Sequence, residues 1–308
     1  MSSQPLIVPI DVAALAVGHS DQPEKGARVL TAMADFSRLP SSRNRTPYTS
    51  EQALTNSIAF AGEEPALPGI HLHWSLPTPL TRGQAGSDGL VFPPVPDRWL
   101  VTRIVVYRGT ANPAPPRLRS WVVESDRLSD TPRTAPGLVQ PTVALDPYSD
   151  GRLFAWLGQT FALEGWRESA AAERAPRPFT ALGYGEPTFA AFYPNSCSVF
   201  GHYDALDDLA GFELEELSVS YQVSGWYANT EDDPLHQPDG ASLFGWAAAD
   251  GEPPTALVCS GVIDGIRWAA NERYLQDGPQ PLTVAIATSS REALSALMAD
   301  ELRQRDPD

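Results

Sequence analysis

The chain has 308 residues and a mass of 33.3 kDa, with 22 basic against 38 acidic side chains and a formal charge of −16. A chain of this length buries about three quarters of the surface it would expose unfolded, so it holds a core without disulfides or metals. Its 30 prolines exclude a helical bundle or coiled coil, and the net negative charge speaks against nucleic acid or anionic membrane as a partner.

Residues 6–17 (LIVPIDVAALAV) read as one edge strand or two short ones, since Pro9 bars a central position. The preceding residues 1–5 lack the basic segment of a secretory signal, and no stretch reaches the roughly 20 apolar residues of a membrane helix. The expectation is therefore a cytoplasmic protein with no membrane span, signal-independent export remaining open. Asp21, Pro23 and Glu24 then form a helix-start signature, and Val29, Met33 and Phe36 follow at helical spacing, predicting a short helix over 24–37. Residues 39–68 are polar and read as a long loop with one helical turn near 51–55.

Strand signals strengthen at 69–76 (GIHLHWSL). In 99–107, Leu100, Thr102, Ile104 and Val106 alternate with Trp99, Val101, Arg103, Val105 and Tyr107. Residues 120–124 form a further strand; 152–161 is apolar and reads as strand or helical turn. Residues 168–178 (ESAAAERAPRP) lack large apolar side chains and read as a linker or exposed loop. Short apolar pieces follow at 188–193, 197–200, 217–227, 256–263 and 282–288. In 217–227 the alternation of Leu217, Val219, Tyr221 and Val223 with serines and Gln222 predicts a half-buried strand. Ser289 and Glu292 form a capping box for a C-terminal helix whose Leu294, Leu297, Met298 and Leu302 make an apolar stripe, a candidate interaction element.

These elements predict a mainly β fold: a β-sandwich or two packed β modules, with proline-rich loops and a short helix near each end. The expected domains are 1–167, near neutral and arginine-bearing, and 179–308, acidic, joined by 168–178; a single intertwined β domain is the alternative. The charge asymmetry is real in the sequence. Between Arg177 and Arg267 there is no base but 14 acids, a region suited to a solvated acidic face or a basic protein partner. Twenty-one of the 22 bases are arginine, which fits a GC-rich bacterial genome.

Candidate chemistry is sparse. His71 and His73 lie two apart on a strand, so both imidazoles share a face and are candidate metal ligands, with His202, Asp204 or one acid of the 178–266 region as a third. No acid follows within four positions; Leu76 and Pro77 stand there. Asn229, Glu231, Asp233 and Asp239 place oxygens as a calcium loop does, without the turn glycine. Trp226, with the serines by alternation, is a candidate partner or glycan contact unless a bulge at Gly225 turns it inward. Cys197 and Cys259 read as two buried thiols rather than a disulfide framework. No nucleophile elbow, phosphate loop or cofactor motif is present. The function expected is a non-catalytic structural or protein-binding module of a larger bacterial assembly. A glycan-binding or glycan-cleaving β protein is the alternative, and a metal-dependent enzyme using His71 and His73 comes third.

Overall fold

The computed structural model describes residues 5–17, 67–81, 84–86, 89–107, 115–131, 142–144, 154–175, 179–181, 198–209, 217–237, 254–267 and 273–276. The fold is mainly β, with two sheets packed together and no helix of seven or more residues among those described. The helices expected at 24–37 and after Ser289, the turn near 51–55 and the strand at 282–288 lie outside the described residues.

The larger sheet has seven strands. In spatial order they are β1 (Leu6–Pro9), β12 (Leu257–Arg267), β11 (Leu217–Trp226), β6 (Arg98–Tyr107), β7 (Arg117–Ser129), β9 (Phe154–Ala162) and β8 (Thr142–Ala144). The smaller has four: β10 (Gly201–Asp204), β3 (Gly69–Trp74), β2 (Val12–Val17) and β13 (Arg273–Gln276). A separate ribbon joins β4 (Gln84–Gly86) to β5 (Gly89–Val91).

The period of two sorts each strand's side chains between the core and the outside. On β6, Trp99, Val101 and Val105 face inward, as do Val219, Tyr221 and Val223 on β11 and Trp121 and Val123 on β7. The small sheet answers with Ile70, Leu72 and Trp74 from β3 and Val12, Ala14 and Ala16 from β2. Trp74 and Trp99 meet across the gap with ring centroids 5.4 Å apart, and Phe200 stands edge-on to Trp99 at 5.9 Å. Such aromatic pairs add about 0.5–1.5 kcal/mol each beyond the area they bury.

The N-terminal segment changes sheets. β1 runs parallel to β12, and after Ile10 and Asp11 the chain continues as β2, antiparallel to β3. Gly261 makes that crossing possible: a Cβ there would stand 2.4 Å from the Ile10 carbonyl oxygen. Leu6 and Ile10 donate their N–H groups to Ala256 and Ser260, so the alternate residues Ile7 and Pro9 face the open edge. Proline has no N–H to offer there, which blunts the edge as a template for another strand.

β11 and β12 lie between β1 and β6, and β10 and β13 flank β3 and β2, so the sequence halves share both sheets. Residues 1–278 form one compact unit. Residues 168–178 thus do not divide two sheets. Their described part instead forms a strap on the outer face of the large sheet. It contains a short 3-10 turn at Ala171–Glu173 and is tied to β7 by the Ala175 N–H donating to the Asp126 carbonyl at 2.9 Å.

Candidate functional site

The chemically loaded side chains gather around two arginines of β6. Arg98 and Arg103 are five residues apart and so lie on opposite faces of the strand. Both are fully buried, at 0% and 1% exposure.

Arg103 points between the sheets. Its Nη1 donates to both carboxylate oxygens of Asp204, at 2.8 and 3.1 Å, and Nη2 pairs with Asp208. Asp204 also accepts the Tyr221 hydroxyl at 2.7 Å and the Leu206 N–H at 3.0 Å. Leu206 takes up a left-handed conformation (φ 57°) in this tight turn off β10. Arg119 donates to Asp207 and Asp208 at 3.1 and 2.9 Å. The guanidinium carbons of Arg103 and Arg119 lie 5.5 and 5.1 Å from the Trp121 ring, and His202 stacks on the same indole at 4.6 Å. Burial works against ionisation of Asp208, but the two arginines outweigh it and hold its carboxyl below the usual range. Burial next to Asp204 pushes the Tyr221 hydroxyl far above 10, so it serves as a hydrogen-bond donor and not as a base.

Arg98 points outward, beneath the strap. It donates to Asp126, to the Asp97 carbonyl at 2.8 Å and, through Nε, to Glu168 at 2.8 Å. Arg174 grips the same Glu168 oxygen at 2.9 Å. Glu124, fully buried beside Arg98 in register, accepts the Trp166 indole N–H at 2.8 Å and the Ser169 hydroxyl. Arg127 holds Glu173 with two bonds of 2.7 and 2.9 Å. Carboxylates outnumber guanidiniums here. Burial, with the nearby Asp126 charge, raises Asp97 to about 7 against the pull of Arg98. Asp126 is raised as well, chiefly by burial.

The sequence therefore misleads on charge. Acids of the arginine-free stretch 178–266 face arginines of the first half: Asp204, Asp207 and Asp208 are bound by Arg103 and Arg119. These three acids, remote from any base along the chain, are paired with arginines in space.

His71 and His73 share the outer face of β3, as expected, and both are buried. Register puts Tyr203 beside His71, and their rings meet at 4.7 Å. His202 and Asp204 pair with Leu72 and Ile70 and so point to the other face, which removes them as ligands completing a site with His71 and His73. Among the described residues no group of three metal-ligating side chains occurs. His71 Nε2 meets the Leu67 carbonyl at 2.9 Å, His73 lies against the Phe200 carbonyl, and neither ring nitrogen of His202 reaches a hydrogen-bond partner among the described residues. Burial drives all three imidazoles down to about 4, so they are neutral at pH 7.

The expected calcium loop is a pair of 3-10 turns, Thr230–Asp232 and Pro234–His236. The Asn229 side chain caps Glu231 N–H at 3.2 Å. Asp233 is buried, with one oxygen accepting from Leu235 N–H at 2.9 Å and the other from Leu257 N–H at 2.7 Å. Its carboxylate thus caps a turn and anchors β12. Glu231 is exposed, and Asp239 lies outside the described residues. Trp226 is half-buried on the outer face, opposite Arg98. The register passes Gly225 without a bulge; the glycine is needed because a Cβ would fall 2.3 Å from the Trp99 ring. Leu294, Leu297, Met298 and Leu302 lie outside the described residues, as does Cys197. Cys259 is a buried free thiol, which burial keeps protonated.

Two buried hydroxyls are engaged by the backbone. Ser125 donates to the Val199 carbonyl at 2.6 Å and Ser198 to the Leu157 carbonyl at 3.1 Å. No family model, curated protein or solved structure matches the chain.

Proposed function

We propose that the chain is a non-catalytic β-sandwich module that binds protein within a larger bacterial assembly. The observation that carries this reading is the open part of the large sheet's outer face. There Ile7, Val106, Leu118 and Val262 stand exposed at 64%, 42%, 68% and 46% on neighbouring strands of a well-packed sheet. Leu118 pairs with Ile104 in register and Val106 follows two residues on along the same face, and an apolar cluster of this kind supports an interaction site. The hydrogen bonds that engage the buried Asp204, Asp233, Ser125 and Ser198 support the non-catalytic half of the reading. A photo-crosslinking residue at position 118, compared with one at the exposed Glu164, tests it in the native host. Discrete protein adducts from position 118 alone are expected; equal or absent adducts overturn the proposal.

A glycan reading would rest on Trp226. Titrating the protein's fluorescence with soluble polysaccharides checks it, and saturable quenching lost in Trp226→Phe would transfer the function to that class.

A further inference from the structure

The strap is fastened to the large sheet by polar contacts. Ser169 alone is buried among residues 162–175. The ties are the Trp166 indole and the Ser169 hydroxyl on Glu124, Glu168 on Arg98, Glu173 on Arg127, and the Ala175 N–H on the Asp126 carbonyl. A segment that buries so little apolar surface opens at a lower free energy than the sheet beneath it. One of these ties is shared. Arg98 Nε donates to Glu168 at 2.8 Å and Nη2 lies 2.7 Å from the same oxygen. Nη1 faces the sheet's own acids, bonding Asp126 and standing 3.7 Å from the Asp97 carboxylate.

We propose that this shared guanidinium makes the strap a proton-linked cover, closed while Asp97 carries a proton and loosened when Asp97 ionises. An ionised Asp97 adds negative charge beside a guanidinium already faced by Asp126 and Glu168; it repels Glu168 and competes with it for Arg98. Of the three acids on Arg98, Glu168 is the exposed one, at 37% against 13% for Asp97 and 8% for Asp126. It therefore leaves for water at the least cost, and Arg174, also on the strap, leaves with it. The other charged groups act through Asp126, where Glu124 adds repulsion and Arg174 attraction. Asp97 itself is further faced by the Ala228 N–H at 2.8 Å and by the Tyr227 hydroxyl, which burial keeps protonated.

The coupling is reciprocal. A closed strap holds the Glu168 charge near Asp97 and favours its protonated form, so a proton on Asp97 favours the closed strap to the same degree. Burial, with the Asp126 charge adding to it, raises Asp97 to about 7 against the pull of Arg98, which puts the transition in the neutral range. Because the closed form binds this proton more tightly, closure is favoured below about 7 and weakens as pH rises through that value. Loosening uncovers Glu124 and Arg98, which lie in one row with Trp226 across β7, β6 and β11. The switch does not depend on what the open part of the face binds.

Residue-resolved hydrogen exchange of the full chain tests this, with protection factors compared at about pH 5.5 and about pH 8.5. The Ala175 amide and the Trp166 indole N–H, bonded to Asp126 and Glu124, report the strap; the amides of the β6–β7 ladder report the sheet. Strap protons should be less protected than the ladder at both pH values, an opening that leaves the sheet intact. Their protection should fall at least about fivefold from the acid to the alkaline condition. In Asp97→Asn that fall should vanish. Glu168→Gln, which alters an exposed side chain, should lower strap protection already at about pH 5.5 and shrink the fall, because the strap then carries no acid for Asp97 to repel. Strap and ladder exchanging together, strap protection unchanged by pH, or a fall undiminished in Asp97→Asn overturns the proposal. Should Asp97→Asn fail to fold, an undiminished fall in Glu168→Gln overturns it and a shrunken one supports it.

Discussion

Arg98 and Arg103 sit on one strand, equally buried, and solve the same problem with opposite results. Arg103 is matched by Asp204 and Asp208, with Tyr221 and Leu206 N–H completing Asp204, and Arg119 adds a second positive charge. Arg98 is over-matched by Asp97, Asp126 and Glu168. The inner cluster is a charge-paired joint between two sheets. The outer cluster is crowded with acid, and burial, with the Asp126 charge adding to it, raises Asp97 to about 7 against the pull of Arg98. In the inner cluster burial opposes the charging of His202, and Arg103 and Arg119 add to that opposition against the pull of Asp204. The difference teaches that burial drives the shifts of Asp97 and His202 in opposite directions, while at the less buried Asp208 the arginine partners outweigh it.

The largest expected effect breaks the inner cluster. Arg103→Met strands Asp204, at 2% exposure, and should cost about 3–5 kcal/mol in urea unfolding at pH 7. Arg98→Met should cost clearly less at pH 5, where Asp97 takes a proton and Glu168 keeps Arg174.

Next comes the sign of the pH response. Asp97 holds its proton more tightly folded than unfolded, so it subtracts stability as pH rises from 3.8 to about 7. Asp97→Asn keeps an oxygen for the Ala228 N–H and should stabilise the protein by as much as about 4 kcal/mol at pH 8. Below pH 4 the gain should vanish; a gain that persists there would show packing and not charge at work.

His202 sharpens the contrast from the other side. Its stability contribution is intact above 6.5 and lost as pH falls toward about 4. His202→Phe, which can keep the stack on Trp121, should be about 2 kcal/mol more stable than wild type at pH 5 and near parity at pH 8. The smallest effect is expected at Arg119, whose side chain is 38% exposed with Asp207 at 75%. Arg119→Ala should cost under about 1 kcal/mol, and less in high salt, by the same unfolding assay.

The alternations in 99–107 and 217–227 made the sheets legible, because one buried face imposes a period of two on the sequence. Pro9 made the edge position of β1 legible for a similar reason: a missing N–H is written in the residue itself. The arginine clusters were not legible. A charged residue within an apolar alternation reads as an interruption unless its partners are known, and Asp204 lies 101 residues from Arg103. Gly225 shows the same limit. Locally it suggests a bulge, yet its cause is the Trp99 ring on the neighbouring strand. Residues 168–178 looked like a linker because they carry no large apolar side chain, but Glu168, Ser169, Glu173 and Arg174 fasten them by polar contacts. The histidine pair was placed on one face correctly, while the face of its proposed third ligand depended on a strand register that no spacing reveals.

The N-terminal strand has a consequence for synthesis. Among the described residues β1 has one neighbour, β12, which begins at Leu257. At about 5–20 residues per second, roughly 12–50 s separate the emergence of the two strands from a ribosome. β2 finds β3 much earlier, so the nascent chain carries its first strand as a loose end on an already seated second one. The large sheet then gains β1 at its edge after nearly all the other strands have formed. A ribosome that stalls before Leu257 leaves β11 with an open edge and β1 without a berth, a species prone to pair with its neighbours on the same message.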